Sequence, residues 1–318
     1  MSPGPAALHV LDDTTRAEAP CALVVGNFDG VHRGHQAVLT EAVDLARARG
    51  LSPSVLTFDP HPASVVGASV PPMLTTLERR AELMGQIGVE RLYVRRFDAS
   101  FAAWEPDRFA RDLVAGALQA RIVVVGQSFR FGARRAGDLA LLRSLGAELG
   151  FDVTVHATAS DDRGPFSSTR AREAIAAGDM HEAAEVLGRP HSLSGTVVHG
   201  DERGRTIGVP TANLDPIPEM LPPDGVYAVR VDELEDGESR PLAGGVTNIG
   251  VRPTVAGERR TVETYILGFA GDLYDLRLRV DLIARLRDEK KFASLDELKL
   301  QIARDCVAAR KKLGLVVP

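Results

Sequence analysis

His32 and His35 stand three residues apart in the run Gly26-Asn27-Phe28-Asp29-Gly30-Val31-His32-Arg33-Gly34-His35, after the apolar stretch Cys21 to Val25 and before a helical pattern from Gln36 to Arg49. Imidazoles at that spacing share a face on the first turn of a helix. The same turn offers unpaired backbone N–H groups and the positive end of the helix dipole, and glycines let backbone approach a ligand. That chemistry suits phosphoryl oxygens and the charge that grows on a leaving pyrophosphate. An ordinary turn with two surface histidines is the plainer alternative. The run has neither the G-K-S/T of a Walker A loop nor a G-x-G-x-x-G fingerprint.

Further stretches carry polar or aromatic groups in suggestive order. Thr57-Phe58-Asp59-Pro60-His61-Pro62 holds two prolines that fix an extended loop, either the wall of a pocket or a rigid connector with an exposed His61. Val125-Gly126-Gln127-Ser128-Phe129-Arg130-Phe131-Gly132 is a glycine-bounded aromatic loop able to flank a planar ring. Phe166-Ser167-Ser168-Thr169-Arg170-Ala171-Arg172 opens a helix; the serines are N-cap candidates whatever the function, and guanidinium groups one turn in favour a phosphate. Gly200 to Leu214 is a glycine-rich hairpin connection or a basic loop entering the turn Pro210-Thr211-Ala212-Asn213. In an extended segment Thr211 and Asn213 point the same way, with oxygens of the kind Mg²⁺ accepts beside substrate phosphates. Glu263, in the alternating strand Val262 to Tyr265, is either a general base or a solvent-facing strand residue. Arg285 to Lys291 reads as a solvated charged connector.

The elements that must position these groups change character along the chain. Strand-like runs Ala22 to Val25, Pro53 to Phe58, Arg91 to Val94, Ile122 to Val125 and Asp152 to His156 alternate with helical patterns Gln36 to Arg49, Thr76 to Ile87, Pro106 to Gln119 and Asp138 to Leu149. This predicts a parallel sheet with helices on both faces, its site at the carboxyl ends of the strands. After Arg189-Pro190, short β-rich segments between Gly, Pro and Asp clusters predict a small antiparallel barrel. A final helix, Leu295 to Lys312, opens on the capping box Ser294/Glu297. The expected division is residues 1–19 disordered or loosely attached, 20–188 a first domain and 189–318 a second.

With 318 residues, two domains are the prior expectation, and 44% hydrophobic with 25% charged residues suits a globular chain. A net charge of −5 gives no global attraction to nucleic acid or anionic membrane, so phosphate binding must be local. Two cysteines, Cys21 and Cys306, provide no zinc or disulfide framework. Without a leader-like N-terminus or a membrane-length apolar run, the expected location is the cytoplasm, with small molecules as partners. Sequence leaves a homo-oligomer open.

The run Gly26 to His35 resembles the G-x-F-D-G-x-H-x-G-H signature of bacterial bifunctional riboflavin kinase/FAD synthetases, a variant of the HxGH nucleotidyltransferase motif. The T-F-D-P-H-P, V-G-x-x-F-x-F-G and S-S-T-x-x-R stretches are similar to those of the same family, in the same order. The resemblance implies a Rossmann-like HxGH nucleotidyltransferase domain followed by a riboflavin kinase-like barrel. It implies that Gly26, Asn27, Phe28, Asp29, Gly34, His32 and His35 hold ATP, with Ser167, Ser168, Thr169 and Arg172 on the triphosphate and Asp59, His61, Ser128 and Phe129 at the flavin. Ser128 departs from the family's usual Asn or Asp, and a hydroxyl cannot reproduce an amide's paired donor and acceptor. The G-x-P-T-A-N run, the G-V-x-N-I-G-x-x-P-T loop and the strand glutamate resemble those of riboflavin kinases. They imply ATP at Gly204, Gly208, Pro210, Thr211 and Asn213, Mg²⁺ on Thr211 and Asn213, flavin at Asn248 and Arg252, and Glu263 as general base. Asp275 replaces the glycine of the family's Leu-Tyr-Gly in a turn that Asp tolerates.

The implied activity is phosphorylation of riboflavin to FMN, then adenylylation of FMN to FAD, with ATP and Mg²⁺ in both steps. The rival expectations are a kinase whose adenylyltransferase half is weak or lost, and a flavin-binding regulator without turnover.

Overall fold

Parallel strands are covered on both faces, so their residues read as unbroken apolar runs. Cys21–Val25 is such a run, buried at every position. In the computed structural model, which describes residues 7–11, 15–199, 210–235, 238–254 and 257–316, it is a central strand of an all-parallel sheet. The strands are β1 (Ala7–Leu11), β2 (Cys21–Val25), β3 (Ser52–Asp59), β4 (Arg91–Arg96), β5 (Ala120–Gly126) and β6 (Asp152–His156), in the order β1-β4-β3-β2-β5-β6. Alternate residues of β2 serve two cores. Ala22 and Val24 pack with Leu39 and Val43 of α1 (Arg33–Ala48) and Met84 of the helix Leu77–Ile87. Leu23 and Val25 pack with Leu113 and Val114 of the π-helix Phe109–Ala117 and Leu142 of the helix Leu139–Leu149.

Residues 1–19 do not all behave as the sequence reading expects. Ala7–Leu11 is an edge strand, parallel to β4 and in register with Arg91 to Arg95. Five residues are too few to show a period, and a tertiary partner supplies the pairing. The strand order reverses between β2 and β5, which makes their carboxyl ends a topological switch point. The short hairpin β7 (Ser160–Asp161) and β8 (Gly164–Pro165) follows the sheet.

This first unit lies within Met1–Pro71 and Leu77–Ser167, and the second within Pro72–Thr76 and Ser168–Pro318. The helices Ser168–Ala177 and Met180–Leu187, grouped by the sequence reading with the first domain, therefore pack in the second unit. The Arg189-Pro190 signal marks the change from helix to strand, two helices after the change of core. The second unit holds a closed antiparallel barrel of β9 (His191–Val198), β10 (Ala212–Asp215), β11 (Gly225–Glu235), β12 (Glu238–Thr254), β13 (Gly257–Ile266) and β14 (Arg277–Arg287), in the order β10-β13-β12-β11-β14-β9. Pairing of β9 with β10 closes it.

On β11 the alternation is again legible. Tyr227, Val229 and Val231 are buried in one row, while Val226 and Ala228 pack under Ala309 and Leu313 of the C-terminal helix Leu295–Leu313. Ser294 caps that helix by accepting the N–H of Glu297 at 3.2 Å, as its capping box predicts. Arg287 on β14 clamps it, with Nε 3.1 Å from both carboxylate oxygens of buried Asp305 and an Nη at 2.8 Å.

Truncating one member of a buried ion pair strands the other charge, which costs about 3 kcal/mol. Asp305→Ala is expected to lower the unfolding free energy of the second unit by that amount in urea denaturation. A second test concerns buried Glu219, which accepts the hydroxyl of Ser194 at 2.6 Å and its N–H at 3.1 Å. Burial raises its carboxyl pKa against those two bonds. Folding therefore favours the protonated form, whose contribution is full below the unfolded carboxyl range and is lost as pH rises through the raised value. The melting temperature of Glu219→Gln relative to wild type is expected to rise with pH across that window; a flat difference contradicts the assignment.

Candidate functional site

The chain leaves β2 at Gly26 and enters α1 at Arg33, and the six intervening residues make a turn with three positive φ angles: Phe28 at 52°, Gly30 at 87° and Val31 at 39°. A β-branched residue in the left-handed region is strained, so the turn must be held from outside. Phe28 and Val31 are both buried in the core. The N–H of Val31 bonds the Phe28 carbonyl at 3.0 Å, Gln36 donates to the Val31 carbonyl at 2.8 Å, and Thr57 and Arg80 both donate to the Asn27 carbonyl. Buried His32 is the N-cap of α1, its Nδ1 accepting the N–H of His35 at 3.3 Å. The two rings stack with centroids 3.6 Å apart, and Phe28 meets His35 edge-on at 5.0 Å.

A cavity of about 300 Å³ opens over this turn, and Gly26, Phe28, His32, Gly34 and His35 all line it. Gly34 is required sterically: a Cβ there would lie 2.8 Å from the Phe166 carbonyl and 3.1 Å from the His32 ring. Asp29 is buried and is not a lining residue. Phe166 closes one wall, with the Arg33 guanidinium 4.3 Å over its ring, and Ser167 follows it directly. Ser168, Thr169 and Arg172 are residues of the second unit and do not line this cavity. There Arg172 donates to the Pro72 carbonyl at 2.7 Å.

A second cavity, about 330 Å³, shares Val25, Gly26, Ser128 and Phe129 with the first. Much of its remaining wall is aromatic. Phe129 and Phe131 stack at 5.7 Å and 15°, Trp104 lies 5.1 Å from Phe101, and the Arg108 guanidinium covers Trp104 at 3.9 Å. Asn27 lines this cavity, and its amide meets the His61 ring at 3.0 Å. Asp59 and His61 do not line it, while their neighbours Phe58 and Pro62 do. Arg80, absent from the sequence reading, ties these segments together. Burial lowers its pKa, while Asp29 and Asp59 favour the charged form. The Arg79-Arg80 pair inside an otherwise amphipathic helix was the available signal.

In the barrel, strand register brings the predicted residues into line. Glu263 on β13 is opposite Asn213 on β10 and Asn248 on β12, so three polar side chains form one row across three strands. Thr261, two residues along, donates to Glu263 at 3.4 Å. Gly250 leaves space that the Glu289 carboxylate fills, which sets a second acid beside the strand. The next row, Ala212, Thr264 and Thr247, points to the other face, where the two hydroxyls bond at 2.8 Å. Ala212 and Thr264 line a cavity of about 220 Å³ with Pro210, Thr211 and the segment Phe269 to Tyr274. Thr211 thus borders the cavity, and Asn213 belongs to the glutamate row. Gly204 and Gly208 lie outside the described residues, and Arg252 is placed only as a β12 backbone position. Asp275 takes a left-handed φ of 63°, as its turn predicts.

Residues 14–170 match the family model described as FAD synthetase, and residues 187–313 match that described as riboflavin kinase. The bifunctional riboflavin kinase/FMN adenylyltransferase of Escherichia coli (strain K12) is 45% identical over 299 residues, covering 94% of each chain. That of Bacillus subtilis (strain 168) is 35% identical over 295 residues, covering 91% of each. A crystal structure described as a macrolide-efflux protein from Streptococcus pneumoniae is 31% identical with a TM-score of 0.83, covering 95% of this chain and 98% of that one. Among the described residues, no helix is long and apolar enough to cross a membrane.

The Gly34 geometry is testable. Gly34→Ala must push apart the His32 ring and the Phe166 backbone, and this overpacking is expected to lower the unfolding free energy of the first unit by about 1–3 kcal/mol. Urea denaturation followed by the fluorescence of Trp104 reads it; unchanged stability contradicts the steric argument.

Proposed function

The chain belongs to the bifunctional riboflavin kinase/FMN adenylyltransferase family, and we propose that each of its two ATP-dependent steps uses one of the two sites described above. It phosphorylates riboflavin to FMN, then adenylylates FMN to FAD with release of pyrophosphate. One observation carries the assignment of the second step: the cavity over the histidines and the aromatic cavity share Gly26, Ser128 and Phe129. ATP in the first and the flavin ring in the second bring the FMN phosphate to the α-phosphorus at the common wall. An FMN phosphate oxygen bonds to that phosphorus, and the bond to the bridging oxygen of the β-phosphate breaks. The stacked His32–His35 pair, at the positive end of the α1 dipole, stabilises the departing pyrophosphate.

For the first step, Glu263 takes the proton of the ribityl 5′-hydroxyl as that oxygen attacks the γ-phosphorus of ATP. Asn213 and Asn248 flank it in register, which supports a single polar strip along which the substrate hydroxyl is oriented. Thr211 and Asn213 carry hard oxygen donors of the kind Mg²⁺ takes, and the ion when bound would neutralise phosphoryl charge. We place the reactions in the cytoplasm, where ATP is available and the thiols of Cys21 and Cys306, both free, stay reduced.

Chromatographic separation of riboflavin, FMN and FAD tests the reading. Glu263→Gln is expected to reduce riboflavin phosphorylation about 1,000-fold, within the range of a lost general base, and leave FMN adenylylation intact. His32→Ala is expected to reduce adenylylation by about 100-fold, as for a lost transition-state donor, and leave phosphorylation intact. Loss of both activities from either change in a folded chain overturns the two-site assignment, and chelation of Mg²⁺ is expected to stop both steps.

A further inference from the structure

The cavity over His32 and His35 has a third histidine in its wall. His156 is the last residue of β6, two strands from β2, and it lines the cavity with the small residues Ala157 and Ala159. Its Nδ1 is hydrogen-bonded to the carboxylate of Glu41 on α1. Glu41 lies one turn beyond Val38, itself a lining residue, so the carboxylate holds the ring from the helix side of the cavity.

A carboxylate on one ring nitrogen selects the tautomer with its proton there. In that tautomer the lone pair lies on Nε2, on the far edge from Glu41. A lone pair is of no use to phosphate oxygens, which themselves accept. It matches a hydrogen-bond donor, and the donors of ATP all lie in its nucleoside half: the exocyclic amine of adenine and the two ribose hydroxyls. The arrangement along α1 follows the same logic, with His32 and His35 at its first turn and His156 beside its third.

We propose that His156 is a specificity residue of the adenylyltransferase site, accepting through Nε2 a hydrogen bond from the nucleoside of ATP, and that Glu41 is the positioning residue that sets its tautomer. The inference rests on the assignment of this cavity to the ATP of adenylyl transfer. It adds a discriminating contact remote from the reacting phosphorus.

The test uses the full-length enzyme, FMN, and four nucleotides: ATP, purine riboside triphosphate, 2′-deoxy-ATP and 3′-deoxy-ATP. One of the three analogues lacks the donor, and wild type is expected to use it about tenfold less well in kcat/KM, the size of one hydrogen bond. His156→Phe, which keeps an aromatic ring and removes the acceptor, is expected to lose about tenfold with ATP and to treat that analogue and ATP alike. The identity of the analogue separates the base amine from a ribose hydroxyl. Glu41→Gln is expected to shift discrimination the same way, because an amide partner no longer selects one tautomer. Riboflavin phosphorylation by the same preparations, expected unchanged, reports folding of the second unit. Wild-type use of all three analogues on a par with ATP overturns the proposal, and so does an equal loss on all four nucleotides in His156→Phe, which marks a structural role. Failure of the parent reading looks different: adenylyl transfer would then survive His32→Ala.

Discussion

The first unit depends on a single reversal: β2 must end, the backbone must turn through Gly26 to His32, and α1 must begin at Arg33 with His32 as its N-cap. Two groups crowd that opening, the Phe166 carbonyl and the His32 ring, and only a residue without Cβ fits between them at position 34. The strain of a left-handed Val31, roughly 1–3 kcal/mol, is tolerable because its side chain and that of Phe28 are buried, each contributing about 1.5–3 kcal/mol. Hydrogen bonds from Thr57 and Arg80 to the Asn27 carbonyl then fix the turn to β3 and to the helix Leu77–Ile87. The geometry of the turn is thereby held by the sheet and its covering helices.

The barrel solves a related problem differently. Its polar row arises from register: closure fixes which residue stands opposite which, so Asn213, Glu263 and Asn248, distant in sequence, become neighbours. A slip of one residue would turn Glu263 inward, into the row where Thr247 and Thr264 satisfy each other. The C-terminal helix, clamped by Arg287 and Asp305, covers the outer face of β11 and β12 beyond that row.

Much of this was legible in the residues, for identifiable reasons. Long periodic segments declared themselves: the helical patterns at 76–87 and 138–149 lie within a residue of the observed Leu77–Ile87 and Leu139–Leu149. The turn chemistry of Gly26 to His35 was readable because strand, glycines and helix are contiguous. Ala7–Leu11 was not, since an edge strand of five residues takes its order from β4. Nor was the partition of the Ser168–Ala177 and Met180–Leu187 helices, whose own patterns say nothing of which core they face. Arg80 and the aromatic wall of Phe58, Phe101, Trp104 and Phe131 are products of tertiary packing, where segments separated by dozens of residues meet. Thr211 and Asn213 follow the alternation rule only in part, because the cavity begins at the strand's first residue.

The wall shared by the two cavities of the first unit carries a further consequence. On the proposed assignment each substrate fills one chamber, whereas the product, a flavin joined to an adenosine through its pyrophosphate, fills both at once. A tethered pair of ligands gains the effective concentration that either half lacks alone. On that assignment FAD competes with ATP through one end and with FMN through the other, so the wall that lets two substrates meet is also the one across which the product is held.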